Sequence, residues 1–206
     1  MTTAKNPEPQ GDIRWHEHAI TRDERWARQS TKGCTVWLTG LSGAGKSSIA
    51  NAAAQQLFAA GVPAYVLDGD NLRHGLNVNL GFSDADRAEN VRRVGEVALL
   101  LADAGFVVFV PIISPFQSGR DAIRVRHSDA GLGFAEVFIA TTVEECATRD
   151  TKGLYAKAEA GELTGLTGVD APYEAPESAE LVLLTSDRSV NACAEELVSA
   201  LHHLWD

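Results

Sequence analysis

The stretch Gly40-Leu41-Ser42-Gly43-Ala44-Gly45-Lys46-Ser47 constrains this chain more than any other. It meets every fixed position of G-x-x-x-x-G-K-[ST], the spacing that wraps backbone N–H groups around a phosphate. Its flanks suit that use. Cys34 to Thr39 is an apolar run that reads as a buried strand, and the alanine-rich run Ser48 to Ala60 reads as a helix. A helix that opens near Lys46 directs its positive end at the same anion. Lys46 would reach the β- and γ-phosphates, and the Ser47 hydroxyl would help hold Mg²⁺. A chance Gly/Ser connection between strand and helix would not need all four fixed positions, so the stretch implies a nucleoside triphosphate site.

The rest of the chain alternates strand and helix signals. Ala64 to Leu67, the wholly apolar Phe106 to Ile113, Phe134 to Ile139 and Leu181 to Leu184 read as strands. Ser83-Asp84-Ala85-Asp86 and Thr142 to Glu145 have the form of capping boxes, and Ser189 opens a closing helix. This order predicts an α/β fold, a parallel sheet covered by helices on both faces. Residues 1–12 read as a flexible tail and 13–206 as a single domain, with an irregular, lid-like segment over about 150–178. Ile13 to Lys32, with Trp15, Ile20 and Trp26, is too apolar for a free tail and should pack on the domain or on a second subunit.

Composition excludes several classes. With 45% hydrophobic residues in 206, one good core is affordable, and the net charge of −10 argues against a nucleic-acid or membrane-surface protein. Phe106 to Ile113 is too short to span a bilayer, and Met1 to Asp12 lacks the apolar core of a signal peptide. Cys34, Cys146 and Cys193 are odd in number and widely separated, which fits a reducing cytoplasm. His16-Glu17-His18 has no further ligand nearby and reads as a solvated face.

Sites in parallel sheets lie at the carboxyl ends of the strands. That places the loop, Asp68-Gly69-Asp70 and Ser114 around one crevice. Two carboxylates beside a triphosphate suit work with Mg²⁺ and with the proton of an attacking hydroxyl. Asp70, further from its strand, is the candidate for metal or acceptor, and Asp68 for orienting its neighbours. From Asp70 to Arg126 there are seven arginines and no lysine, out of 18 basic residues, which points to a second, anionic ligand. Arg92, Arg93, Arg124 and Arg126 read as helix-surface charges, leaving Arg73, Arg87 and Arg120. Phe82 and Asn90 offer a stacking face and an amide.

These residues resemble the adenylylsulfate kinase (adenosine 5′-phosphosulfate kinase) family of P-loop kinases. The resemblance runs from about residue 13 to the end and rests on the Gly40–Ser47 loop, on Asp68-Gly69-Asp70-Asn71-Leu72-Arg73-His74-Gly75-Leu76, and on Leu80-Gly81-Phe82-Ser83-Asp84-Ala85-Asp86-Arg87 with Glu89-Asn90. Ile113-Ser114-Pro115, Arg149-Asp150 with Lys152-Gly153-Leu154-Tyr155, Thr167-Gly168-Val169-Asp170 and Pro172-Tyr173-Glu174-Ala175-Pro176 add to it, as does Trp15-His16 with His18.

The resemblance implies ATP- and Mg²⁺-dependent phosphorylation of the 3′-hydroxyl of adenosine 5′-phosphosulfate in sulfate assimilation. On that basis Gly40 to Ser47 and Arg149 would bind ATP. Asp68, Arg73, Phe82, Arg87, Asn90, Ile113, Ser114 and Lys152 would serve the acceptor, with Leu166 at the position of a family aromatic. Lys46, Asp70 and Ser114 would be catalytic, and Ser47 and Asp70 would meet the metal. The family's serine at 114 is often labelled a phosphoserine intermediate; direct in-line transfer with Ser114 orienting the acceptor is the alternative favoured here. A homodimer and a functional link to an ATP sulfurylase are also implied.

The chain departs from the family pattern at Gln117, Glu159 and Leu166. A lost aromatic stack costs about 1 kcal/mol, so weaker acceptor binding is expected before lost activity. A different nucleotide or small-alcohol acceptor, or a silent nucleotide-binding module, are the competing readings.

Overall fold

The computed structural model describes Arg14, His16 and residues 18–206. The expected flexible tail, together with Ile13, Trp15 and Glu17, lies outside the described residues. The first element, α1 (Arg22–Gln29), opens on a reciprocal capping box between Thr21 and Glu24. It packs on its own domain: Arg22 Nε donates to Asp103 at 2.7 Å and Arg22 Nη1 to the Ala130 carbonyl at 2.8 Å.

Then follow β1 (Cys34–Thr39), α2 (Lys46–Ala59), β2 (Ala64–Val66), α3 (Gly69–Leu72), α4 (Asp84–Asp103) and β3 (Val107–Pro111). The second half comprises α5 (Gln117–Asp129), β4 (Gly133–Ile139), α6 (Val143–Arg149), α7 (Leu154–Glu159), β5 (Leu181–Leu183) and α8 (Val190–Leu201). The strands form one sheet in the order β2-β3-β1-β4-β5, parallel throughout.

The central strand β1 is buried on both faces. Along β1, Cys34, Val36 and Leu38 join a core with Ala50, Ala53 and Leu197 from α2 and α8. The alternate residue Trp37 enters a second core with Val94, Ala98 and Ile123 from α4 and α5. Side chains on a strand alternate between faces, so a strand covered on both sides buries every position, and its polar residues are paired: Thr35 with His127 and Thr39 with the Ile113 carbonyl. The expected caps are present: Ser83, Thr142 and Ser189 accept from the N–H groups of Asp86, Glu145 and Ala192. Each satisfies one of the donors that a helix start leaves unpaired.

The structure adds three short helices to the expected elements, α1, α3 and α7. The segment 150–178, irregular by sequence, is pinned at several points. Tyr155 donates its hydroxyl to the Ser42 carbonyl at 2.9 Å, and Asp170 accepts from the N–H groups of Gly165 and Leu166, each at 2.7 Å. Such partners are remote in sequence or made through backbone, and no hydrophobic period announces them.

Candidate active site

Where β1 ends, the backbone takes conformations that only glycine adopts readily. Gly40 has φ +149°, and a Cβ there would stand 2.7 Å from the Ile139 carbonyl oxygen. Gly45, at φ +103°, precedes α2 with no side-chain cap. The first N–H groups of α2 are therefore left facing the loop, the arrangement that receives phosphate. Lys46 Nζ lies folded into the loop and donates to the carbonyls of Gly40 and Leu41 at 2.9 and 2.7 Å. Burial pushes its pKa down to about 8. A buried ammonium held only by carbonyl dipoles gains a great deal from an arriving polyanion.

Above the loop opens a cavity of about 510 Å³ lined by Ser42 to Ile49, Asp68, Asp70, Arg73, Phe82, Arg87, Asn90, Ile113, Ser114, Arg149 and Lys152. The structure thus brings into one cavity nearly all the residues singled out from the sequence. Gly40 and Leu41 stand behind it and meet Lys46 through their carbonyls. Leu166 is elsewhere: it is 6% exposed within the α2–α8 core and is not on the cavity wall. An aliphatic side chain at that position gains more from core burial than from a polar cavity.

The two carboxylates stand differently toward the loop. Ser47 Oγ donates to Asp68 Oδ2 at 2.6 Å, so Asp68, not Asp70, stands beside the loop serine. The other Asp68 oxygen accepts from the Asp70 N–H at 2.9 Å and caps α3. Asp70 forms an exposed ion pair with Lys152. The hydroxyl and carboxylate oxygens of Ser47 and Asp68 are the hard donors that Mg²⁺ takes, so these residues fit that ion.

On the opposite wall, the Arg73 guanidinium lies 4.3 Å over the Phe82 ring and donates to the carbonyls of Leu80 and Gly81, each at 3.1 Å. Burial lowers its pKa, with the Arg87 charge adding to that. Arg87 donates to the Phe82 carbonyl at 2.8 Å, to Thr167 Oγ1 at 2.7 Å and to the Gly165 carbonyl at 2.7 Å. It therefore ties α4 to the 150–178 segment. Asn77, wholly buried, donates its amide to Asn90 Oδ1 at 3.0 Å, which leaves the Asn90 NH₂ to donate elsewhere.

Ser114 is 3% exposed and left-handed, φ +42°, and its hydroxyl accepts from Trp37 Nε1 at 3.0 Å. The Ile113 carbonyl accepts from Thr39 at 2.6 Å. Arg149 spans the far end, donating to the Ala44 carbonyl at 3.3 Å and to Thr185 Oγ1 at 3.1 Å. Tyr155, which the sequence offered only as part of the resemblance and with no role, closes over the loop through Ser42. Arg120 departs from expectation most. Far from facing an anion in the cavity, it is buried against Glu136. It shares its face of α5 with Ile123 and His127, both buried.

Residues 32–184 match the family model described as adenylylsulphate kinase. The chain is 51% identical over 190 residues to the adenylyl-sulfate kinase of Marinobacter nauticus, covering 92% of this chain and 94% of that one. It is 52% identical over 199 residues to the bifunctional enzyme CysN/CysC of Mycobacterium tuberculosis, covering 97% of this chain but only 31% of that relative's length. The solved Mycobacterium tuberculosis APS kinase CysC in complex with AMPPNP and APS superposes with a TM-score of 0.81 at 55% identity, over 83% of this chain and 98% of that one. A gluconokinase from Sinorhizobium meliloti, at 22% identity and a TM-score of 0.54, shares the fold alone. With the loop, the two-walled cavity and these relatives together, the chain belongs to the adenylylsulphate kinase family.

Proposed function

We propose that this chain transfers the γ-phosphoryl group of ATP to the 3′-hydroxyl of adenosine 5′-phosphosulfate, giving 3′-phosphoadenosine 5′-phosphosulfate. The observation that carries the reading is the single cavity in which the Gly40–Ser47 loop faces Arg73, Phe82, Arg87 and Asn90. One wall suits a triphosphate, the other a nucleotide carrying a second anion and an aromatic base.

The loop N–H groups and Lys46 hold the β- and γ-phosphates, and Arg149 lies toward the ATP base. Ser47 and Asp68 would hold Mg²⁺, which would supply positive charge against the phosphates. Asp70 faces the acceptor side and is the carboxylate placed to receive the proton of the attacking hydroxyl. Arg73 and Arg87 hold the phosphosulfate, Phe82 offers its face to the adenine, and Ile113 and Ser114 form the floor beneath the acceptor. The segment 150–178 acts as a lid: Lys152 leaves Asp70 to meet the transferring group, and closure excludes water. Leu166 supports that lid from the core.

The bifunctional CysN/CysC relative supports a link to a second enzyme, which the resemblance makes an ATP sulfurylase, and the resemblance also implies a homodimer. The test is an acceptor panel. With ATP and Mg²⁺, adenosine 5′-phosphosulfate should exceed AMP, gluconate and other small alcohols in kcat/KM by at least a hundredfold. A better acceptor elsewhere in the panel would overturn the assignment.

A further inference from the structure

The Arg120 guanidinium is 1% exposed and makes four hydrogen bonds to four different places. Nε donates to Glu136 Oε1 at 2.5 Å and Nη1 to the Ser114 carbonyl at 2.7 Å. Nη2 donates to Gln117 Oε1 at 2.6 Å and to the Glu174 carbonyl at 2.7 Å. None of the cavity-lining residues is Arg120 itself, so it acts on the site only through what it holds.

Those partners are chosen for position rather than for stability. A buried ion pair returns roughly what its desolvation costs, so Arg120 and Glu136 gain the fold little over an apolar pair of the same volume. What an apolar pair cannot supply is a planar fork reaching two backbone carbonyls at once. One belongs to Ser114, a non-glycine residue in the left-handed region, a conformation that persists only where its surroundings over-determine it. The other belongs to Glu174, at the downstream end of the 150–178 segment. Glu174 is further tied to the same loop: its N–H donates to the Pro115 carbonyl at 2.8 Å, and its carboxylate accepts from the Gln117 N–H at 2.6 Å.

The anchoring reaches the sheet. Glu136 on β4 is the register partner of Trp37 on β1, the residue that holds the Ser114 hydroxyl. Two neighbouring side chains on one face of the sheet therefore fix Ser114 from below, Trp37 by its hydroxyl and Glu136 by its carbonyl through Arg120. We propose that Arg120 is a positioning residue that sets Ser114 against the loop and couples it to the lid's downstream end. This rests on the reading of Ser114 as acceptor floor and 150–178 as lid.

Two variants test it. Arg120→Lys keeps a charge against Glu136 but cannot fork. Arg120→Met with Glu136→Leu leaves neither buried charge unpaired. Both should fold and bind an ATP analogue within twofold of wild type. Both should lower kcat at least tenfold and raise the acceptor KM. ATP with adenosine 5′-phosphosulfate should protect the exposed bonds after Lys152 and Lys157 from trypsin in the wild type, and less in either variant. A folded double variant with wild-type kcat and acceptor KM would overturn the proposal. So would failure of both variants to fold, which would make the fork an element of stability. If the wild type phosphorylates no nucleotide sulfate, the functional reading falls, and ligand-dependent protection alone decides the role of Arg120.

Discussion

The indole N–H of Trp37 donates to the Ser114 hydroxyl at 3.0 Å, and among the described residues this is that hydroxyl's one hydrogen bond. A serine nucleophile needs a base to take its proton, and here the partner is a donor. The hydroxyl proton is left to point at a ligand oxygen, the geometry of an orienting group.

Ser114→Ala should accordingly keep turnover, reduced about fivefold, as befits a lost hydrogen bond of about 1 kcal/mol. No phosphate should be found on the wild-type protein after acid quench with γ-labelled ATP. Complete loss of activity, with label on Ser114 in the wild type, would establish the covalent route instead. Trp37→Phe should shift kcat in the same direction, because it frees the hydroxyl to rotate.

Lys46 gives the pH dependence. Its pKa of about 8 lies below the ordinary 10.5 because burial disfavours the charge. Between those values the unfolded chain binds a proton that the folded one lacks, so this residue makes stability rise with pH across that window. A bound triphosphate favours the ammonium, so binding at pH 8.5 should take up a proton and affinity should fall above pH 8. Titration calorimetry in two buffers of different ionisation enthalpy reads the uptake. Lys46→Met should abolish it and bind ATP far more weakly, yet melt no lower than the wild type without ligand.

Asp68→Asn separates two roles of one carboxylate. Asparagine caps a helix about as well as aspartate, so thermal stability should change by no more than about 0.5 kcal/mol. The charge beside Ser47 is lost, so the Mg²⁺ concentration for half-maximal rate should rise at least tenfold. An unchanged Mg²⁺ requirement would move the ion to Asp70, where the sequence had placed it.

Lys152→Ala tests the lid. Its pair with Asp70 is exposed, and exposed pairs contribute about 0–1 kcal/mol, so the melting temperature should barely move. Loss of a charged hydrogen bond to a transferring group predicts a fall of about tenfold to a hundredfold in kcat/KM for the acceptor. Steady-state kinetics with saturating ATP provide the check; a wild-type kcat/KM would remove Lys152 from the site.

What could be read beforehand follows from range. The loop, the strand ends and the helix caps are local patterns, and the residues that carry them sit where their spacing put them. Trp37 to Ser114, Arg120 to Glu136 and Tyr155 to Ser42 join segments far apart in sequence, through single hydrogen bonds that leave no period behind. Arg120 shows the limit most clearly. Residue type suggested an anion binder, while its place one turn before Ile123 told of burial, and the fold obeyed the spacing. Asp68 and Asp70 differ by two residues on a turn, and only the cap on α3 decides which one faces Ser47.

The central claim is best tested by a single-turnover assay with γ-labelled ATP, Mg²⁺ and adenosine 5′-phosphosulfate, with the nucleotides separated after quenching. The wild type should place the label on the 3′-position of the phosphosulfate, and Lys46→Met should leave it on ATP. ATP bound by the wild type with no label reaching the phosphosulfate would contradict the account.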